Sequence, residues 1–151
     1  FIDFAKKQDW YKNTLIVIMS DHGHSSPTAD NPYFGTKKFH IPMLWLGGAL
    51  SKKGIKIDNI SSQVDFSYTL LNLLKADTSK FNFGKHIFNN SEEQYAYYSF
   101  NKGFGMYSRK GTFIYDYVSK KPIQKIGLTK ELDSLGKAIT QLSYQDFLER
   151  K

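Results

Sequence analysis

The strongest chemical signal in this chain is four consecutive residues, Ser20-Asp21-His22-Gly23. Asp21 offers a hard carboxylate oxygen and His22 a borderline imidazole nitrogen, a donor pair suited to Zn²⁺ or Mn²⁺. Gly23 would let the backbone turn sharply just after them. Residue types alone also allow a plainer reading, a loop cap beside a surface histidine, because two ligands do not complete a metal site. His40 is the second candidate. It could bind a further metal, donate a hydrogen bond to a phosphate oxygen, or serve as a structural histidine where a strand begins. His24 and His86 carry less signal, since His86 has aromatic neighbours and no acidic residue close in sequence.

These side chains need a scaffold, and the hydrophobic pattern supplies one. Thr14 to Ser20 (TLIVIMS) is a continuous apolar, β-branched run, which predicts a strand buried on both faces of a parallel sheet. Phe1 to Tyr11 before it has helical spacing, so the chain begins as if within a fold, and a longer natural polypeptide is expected. A long polar loop from Asp21 to His40 leaves the end of the strand, where ligands bind in open α/β sheets. Ile41 to Leu46 (IPMLWL), closed by Gly47-Gly48, predicts a second buried strand. A turn and short strand are expected over 51–60. Asp65 to Lys75 predicts a helix with Asp65 as N-cap and an apolar stripe of Phe66, Leu70, Leu71 and Leu74.

Three aromatic-rich runs, 94–100, 103–109 and 112–118, are separated by Asn101-Lys102 and Lys110-Gly111, which predicts an antiparallel meander. Thr129 to Glu149 closes the chain as a helix, with Thr129 as N-cap and Leu132, Leu135, Ile139, Leu142 and Phe147 facing inward.

Composition bounds the function. At 151 residues with 40% apolar and 16% aromatic content, one core can form. The longest aliphatic stretch, Leu15 to Met19, is far too short to cross a membrane. Cysteine is absent, so thiolate ligands and a thiol nucleophile are excluded within these residues. The net charge of +7 favours anionic partners, but the lysines are scattered in pairs and Arg occurs only at 109 and 150. Nucleic-acid recognition usually clusters Arg, so none is expected here.

Three motifs, NTLIVIMSDHG (13–23), HIPMLWLGG (40–48) and SQVDFSYTLLNLL (62–74), occur in the order seen in the last third of a sulfatase-type catalytic domain of the alkaline phosphatase superfamily. Within it the chain most resembles lipoteichoic acid synthases and related phosphoglycerol or phosphoethanolamine transferases. The resemblance implies an α/β fold: the C-terminal part of an alkaline phosphatase-like sandwich, with buried, mostly parallel strands and helices, then an antiparallel meander and a terminal helix. It also implies that residues 1–151 are a C-terminal fragment of one such domain, with 1–90 as the metal-site part and 91–151 as the last strands and helix.

The same resemblance implies roles. Asp21 and His22 match the adjacent ligands of the catalytic divalent cation, Mn²⁺ or Zn²⁺. His40 matches a histidine that contacts substrate or a second metal in phosphoethanolamine transferases, a position where lipoteichoic acid synthases can carry Arg. Many calcium sulfatases have Asp-Asn where this chain has Asp21-His22, and the imidazole tilts the chemistry away from calcium and toward phosphoryl transfer. The nucleophile and a further acidic ligand belong upstream of Thr14, so these residues alone should be inactive and bind metal weakly. The expected activity is transfer of glycerol phosphate or a similar phospho-alcohol through a phospho-enzyme. The substrate would be an anionic lipid or a phosphate or sulfate ester. The expected location is extracytoplasmic, with preceding helices anchoring the protein in the bacterial cytoplasmic membrane. Two alternatives stand beside this reading: a sulfate or phosphate ester hydrolase, and a non-catalytic domain whose Tyr and Phe recognise sugars.

Overall fold

The computed structural model describes residues 1–23, 32–90 and 94–150, which form two compact units, Phe1–Ile57 and Asp58–Lys151. In the first unit, a short helix α1 (Ile2–Ala5) and a 3₁₀ turn (Asp9–Asn13) lead into strand β1 (Ile16–Met19). One helical turn, α2 (Thr36–Phe39), precedes strand β2 (Met43–Leu46). Gly47 and Gly48 then fold back onto the 3₁₀ turn. The Gly48 N–H donates to the Tyr11 carbonyl at 3.0 Å, and a β-carbon on Gly47 would lie 2.0 Å from the Thr14 oxygen.

β1 and β2 pair antiparallel, Ile16 opposite Leu46 and Met19 opposite Met43, which corrects the parallel arrangement expected from the sequence. Among the described residues no strands pair in parallel. A continuous apolar run reports burial on both faces; its association with parallel pairing is a tendency that the pairing here overrides. Burial is also less than expected: the cross-strand partners Ile18 and Leu44 are 50% and 52% exposed.

The second unit opens with a segment without regular secondary structure, where a short strand was expected before residue 60, and then helix α3 (Val64–Leu73). Asp65 is not its N-cap. It lies in the first turn, and its carboxylate accepts the Ser62 N–H at 2.7 Å and the Lys85 N–H at 2.9 Å. The buried face of α3 is Asp65 and Thr69, one turn apart, while Leu74 of the expected apolar stripe is 68% exposed. The Thr69 hydroxyl donates to the Lys85 carbonyl at 3.3 Å and accepts the Ile87 N–H at 2.9 Å. Polar side chains thus weld the helix to 85–87, satisfying backbone groups that burial would otherwise leave unpaired. Lys75, at φ 56, ends the helix in the left-handed region, and the Ala76 N–H closes back on the Leu71 carbonyl at 2.9 Å.

The meander forms as expected, with β3 (Tyr95–Phe100), β4 (Gly103–Ser108) and β5 (Gly111–Asp116), and continues into a fourth strand, β6 (Lys121–Gly127). Seven residues of β6 include Lys121, Pro122, Gln124 and Lys125, a pattern too polar to stand out in sequence and one suited to an exposed edge. Helix α4 (Lys130–Glu149) packs on β4 and β5.

Phe104, Met106, Phe113 and Leu132 form the core of this unit, with Tyr95, Tyr97, Tyr115, Leu135 and Ile139 packed around them. Most of the meander's aromatics therefore make core, which removes the main support for a sugar-recognising surface. The inward positions of α4 stop near Thr140, which meets the Tyr97 hydroxyl at 3.0 Å. Beyond it Leu142 and Phe147 are 53% and 76% exposed, a correction to the expected inward stripe.

Candidate metal centre

β1 ends at Met19, and Asp21 and His22 follow on an exposed bend. The His22 N–H donates to Asp21 Oδ1 at 2.9 Å. His22 Nδ1 lies 2.8 Å from the Gly23 carbonyl oxygen. That oxygen can only accept, so Nδ1 carries the proton and, in the neutral ring, Nε2 presents its lone pair.

His22 Nε2 is 3.7 Å from Asp21 Oδ2. Two donors on one tetrahedral Zn²⁺ or Mn²⁺, each about 2.0–2.2 Å from the ion, lie roughly 3.4 Å apart, so the spacing fits a shared cation. A ligating histidine also typically donates its second ring nitrogen to a carbonyl, as His22 does. The pair supplies only two donors. Among the described residues no group of three or more His, Asp or Glu comes together.

His40 caps the C-terminal end of α2 and is exposed. The antiparallel pairing brings it to the same end of the strand pair as Asp21 and His22. In a parallel pair, the residue after β1 and the residue before β2 would lie at opposite ends. Continuing the register past Met19 opposite Met43 would set His22 opposite His40. The Gly23 backbone confirms the approach, since a β-carbon there would fall 1.5 Å from the Lys38 carbonyl oxygen and 3.2 Å from Phe39 Cα. Gly23 has no positive φ; the residue is needed for this close contact and not for a sharp turn.

Lys37 is exposed and Lys38 half-buried on α2, beside this contact. Among the described residues neither has a carboxylate partner. His86 lies in the other unit, where Nδ1 accepts the Phe88 N–H at 3.2 Å and the ring meets Phe88 edge-on. His24, with residues 25–31 of the expected loop, lies outside the described residues.

Sequence reasoning passed over the Asp65–Lys85 pair. The Lys85 ammonium donates to Asp65 Oδ2 at 2.7 Å and to the Tyr95 carbonyl at 3.0 Å, and sits 4.3 Å from the Tyr95 ring centre. Nothing local in the sequence signals this pair, and its role is structural.

Residues 1–76 match the family model described as Sulfatase. The chain is also similar in structure to a protein of the alkaline phosphatase superfamily from Vibrio parahaemolyticus, with a TM-score of 0.73 at 23% identity. That match covers 97% of this chain and 38% of the Vibrio chain, so the present chain spans well under half the length of its structural relative. The likeness establishes the fold as a piece of an alkaline phosphatase-like α/β architecture.

Proposed function

This chain belongs to the sulfatase family, and from that premise we propose that it is the C-terminal, metal-binding part of a phosphotransferase of the bacterial envelope. The reaction moves glycerol phosphate or a similar phospho-alcohol from a lipid donor to an outer acceptor. The observation that carries the proposal is the donor pair, Asp21 Oδ2 and His22 Nε2 at 3.7 Å, with Nδ1 committed to the Gly23 carbonyl. An imidazole at this position favours Mn²⁺ or Zn²⁺ over calcium, and thereby phosphoryl over sulfuryl substrates.

Asp21 and His22 would hold the cation, which when bound neutralises phosphoryl oxygens and lowers the pKa of a nearby hydroxyl. His40 donates a hydrogen bond to the substrate's oxygens from the facing side of the strand pair. Lys37 and Lys38 supply positive charge toward the departing group. The nucleophile, a Thr or Ser that carries the phosphoryl group between donor and acceptor, comes from a preceding segment of a longer polypeptide, as do the remaining metal ligands. Membrane helices in that segment would place the domain outside the cytoplasmic membrane. No helix among the described residues is long and apolar enough to cross one.

The alternative, a sulfate or phosphate ester hydrolase, is favoured by the match to the sulfatase model. Metal analysis of the full-length protein, with turnover of a chromogenic phosphodiester and an aryl sulfate, separates the two. Metal-dependent phosphodiester turnover that disappears in the Asp21→Ala, His22→Ala double variant is the expected result. Sulfate turnover would favour the hydrolase, and metal content and activity indifferent to the double substitution would sink the site.

A further inference from the structure

We propose that Ser20 is a positioning residue for the Asp21–His22 donor pair, acting through the His22 peptide. The inference rests on the reading that these two side chains hold the cation. The Ser20 hydroxyl donates to the His22 carbonyl at 2.6 Å. It fixes the peptide plane joining His22 to Gly23.

The carbonyl that accepts from His22 Nδ1 belongs to the next residue, Gly23, which is pressed against the Lys38 carbonyl. The acceptor that sets the His22 tautomer is therefore oriented from two sides, by Ser20 through the preceding peptide and by Lys38 through space. The His22 side chain is 75% exposed, so packing does little to restrain it. Without the hydroxyl, the ring would sample other rotamers and both tautomers, and binding a cation would have to restore the productive one. Hydrogen-bonding partners behind a ligand typically change metal affinity by about 10–100-fold.

The test compares Ser20→Ala and Ser20→Thr with the wild type in the full-length protein. Mn²⁺ affinity is read by calorimetry, and the His22 tautomer by ring ¹⁵N shifts in the metal-free state. Ser20→Ala should bind Mn²⁺ about 10-fold more weakly and shift the ring from the Nδ1–H form toward a mixture, with Ser20→Thr restoring both. A purely structural serine would leave the tautomer unmoved. Wild-type affinity and tautomer in Ser20→Ala would overturn the proposal. Equal weakening in Ala and Thr variants would do so too, because it would assign the effect to volume instead of the hydroxyl. The Asp21→Ala, His22→Ala protein keeps the two readings apart: if it binds Mn²⁺ like the wild type, the metal site itself is wrong.

Discussion

Gly23 sits so close to Lys38 that a β-carbon at position 23 would lie 1.5 Å from the Lys38 carbonyl oxygen. The contact is backbone to backbone, so neither side can swing away as a flexible side chain would. Gly23→Ala should therefore separate the Asp21–His22 bend from α2. The expected cost is about 1–3 kcal/mol of stability, measured by urea unfolding, with weaker Mn²⁺ binding in the same variant.

The Asp65–Lys85 pair is buried, at 1% and 14% side-chain exposure. Removing one partner leaves the other charge in a poor solvent. Asp65→Ala should cost about 3–5 kcal/mol, and it also strips an acceptor from the Ser62 and Lys85 N–H groups. Combining it with Lys85→Met should cost less than the sum of the single changes, because no unpaired ammonium remains. Additive losses in a double-mutant cycle would mean that the two side chains act independently.

At Gly136 two effects oppose each other. Alanine would favour the helix by about 1 kcal/mol, but its β-carbon would lie 2.2 Å from Phe104 Cε2 and 2.9 Å from Met106 Cγ. Both neighbours are core residues at 1% and 0% exposure and have little room to yield. Overpacking of about 1–3 kcal/mol should win, and thermal melting of Gly136→Ala should show a lowered midpoint.

Stability should depend on pH at both extremes. The Ser119 N–H donates to the Asp116 carboxylate at 2.6 Å and holds its pKa below the ordinary 3.8. A depressed carboxylate stabilises the fold above the unfolded value and loses that contribution as pH falls through the folded one. Burial raises the Tyr98 hydroxyl above its ordinary value of 10. That contribution is fully present below the unfolded pKa and is lost as pH climbs toward the folded one. In unfolding midpoints measured across pH, Asp116→Asn should flatten the acid limb and Tyr98→Phe the alkaline limb.

Local chemistry in the sequence determined much of this protein. The apolar run before SDHG had to be extended, the aromatic runs with short polar separators had to form a meander, and Asp21 with His22 stood out as a candidate donor pair. These features depend on residue type and near-neighbour spacing. Strand direction, by contrast, was decided only in three dimensions: residues 16–19 and 43–46 have the same apolar character whichever way they pair, yet only the antiparallel register puts His40 at the end of the strand pair where Asp21 and His22 lie. The role of Asp65 was hidden for the same reason. Its partner Lys85 lies twenty residues away, and no periodicity within helix α3 announces a bond made across the fold. Long-range pairing depends on which surfaces meet when the chain closes, and that is a property of the tertiary structure.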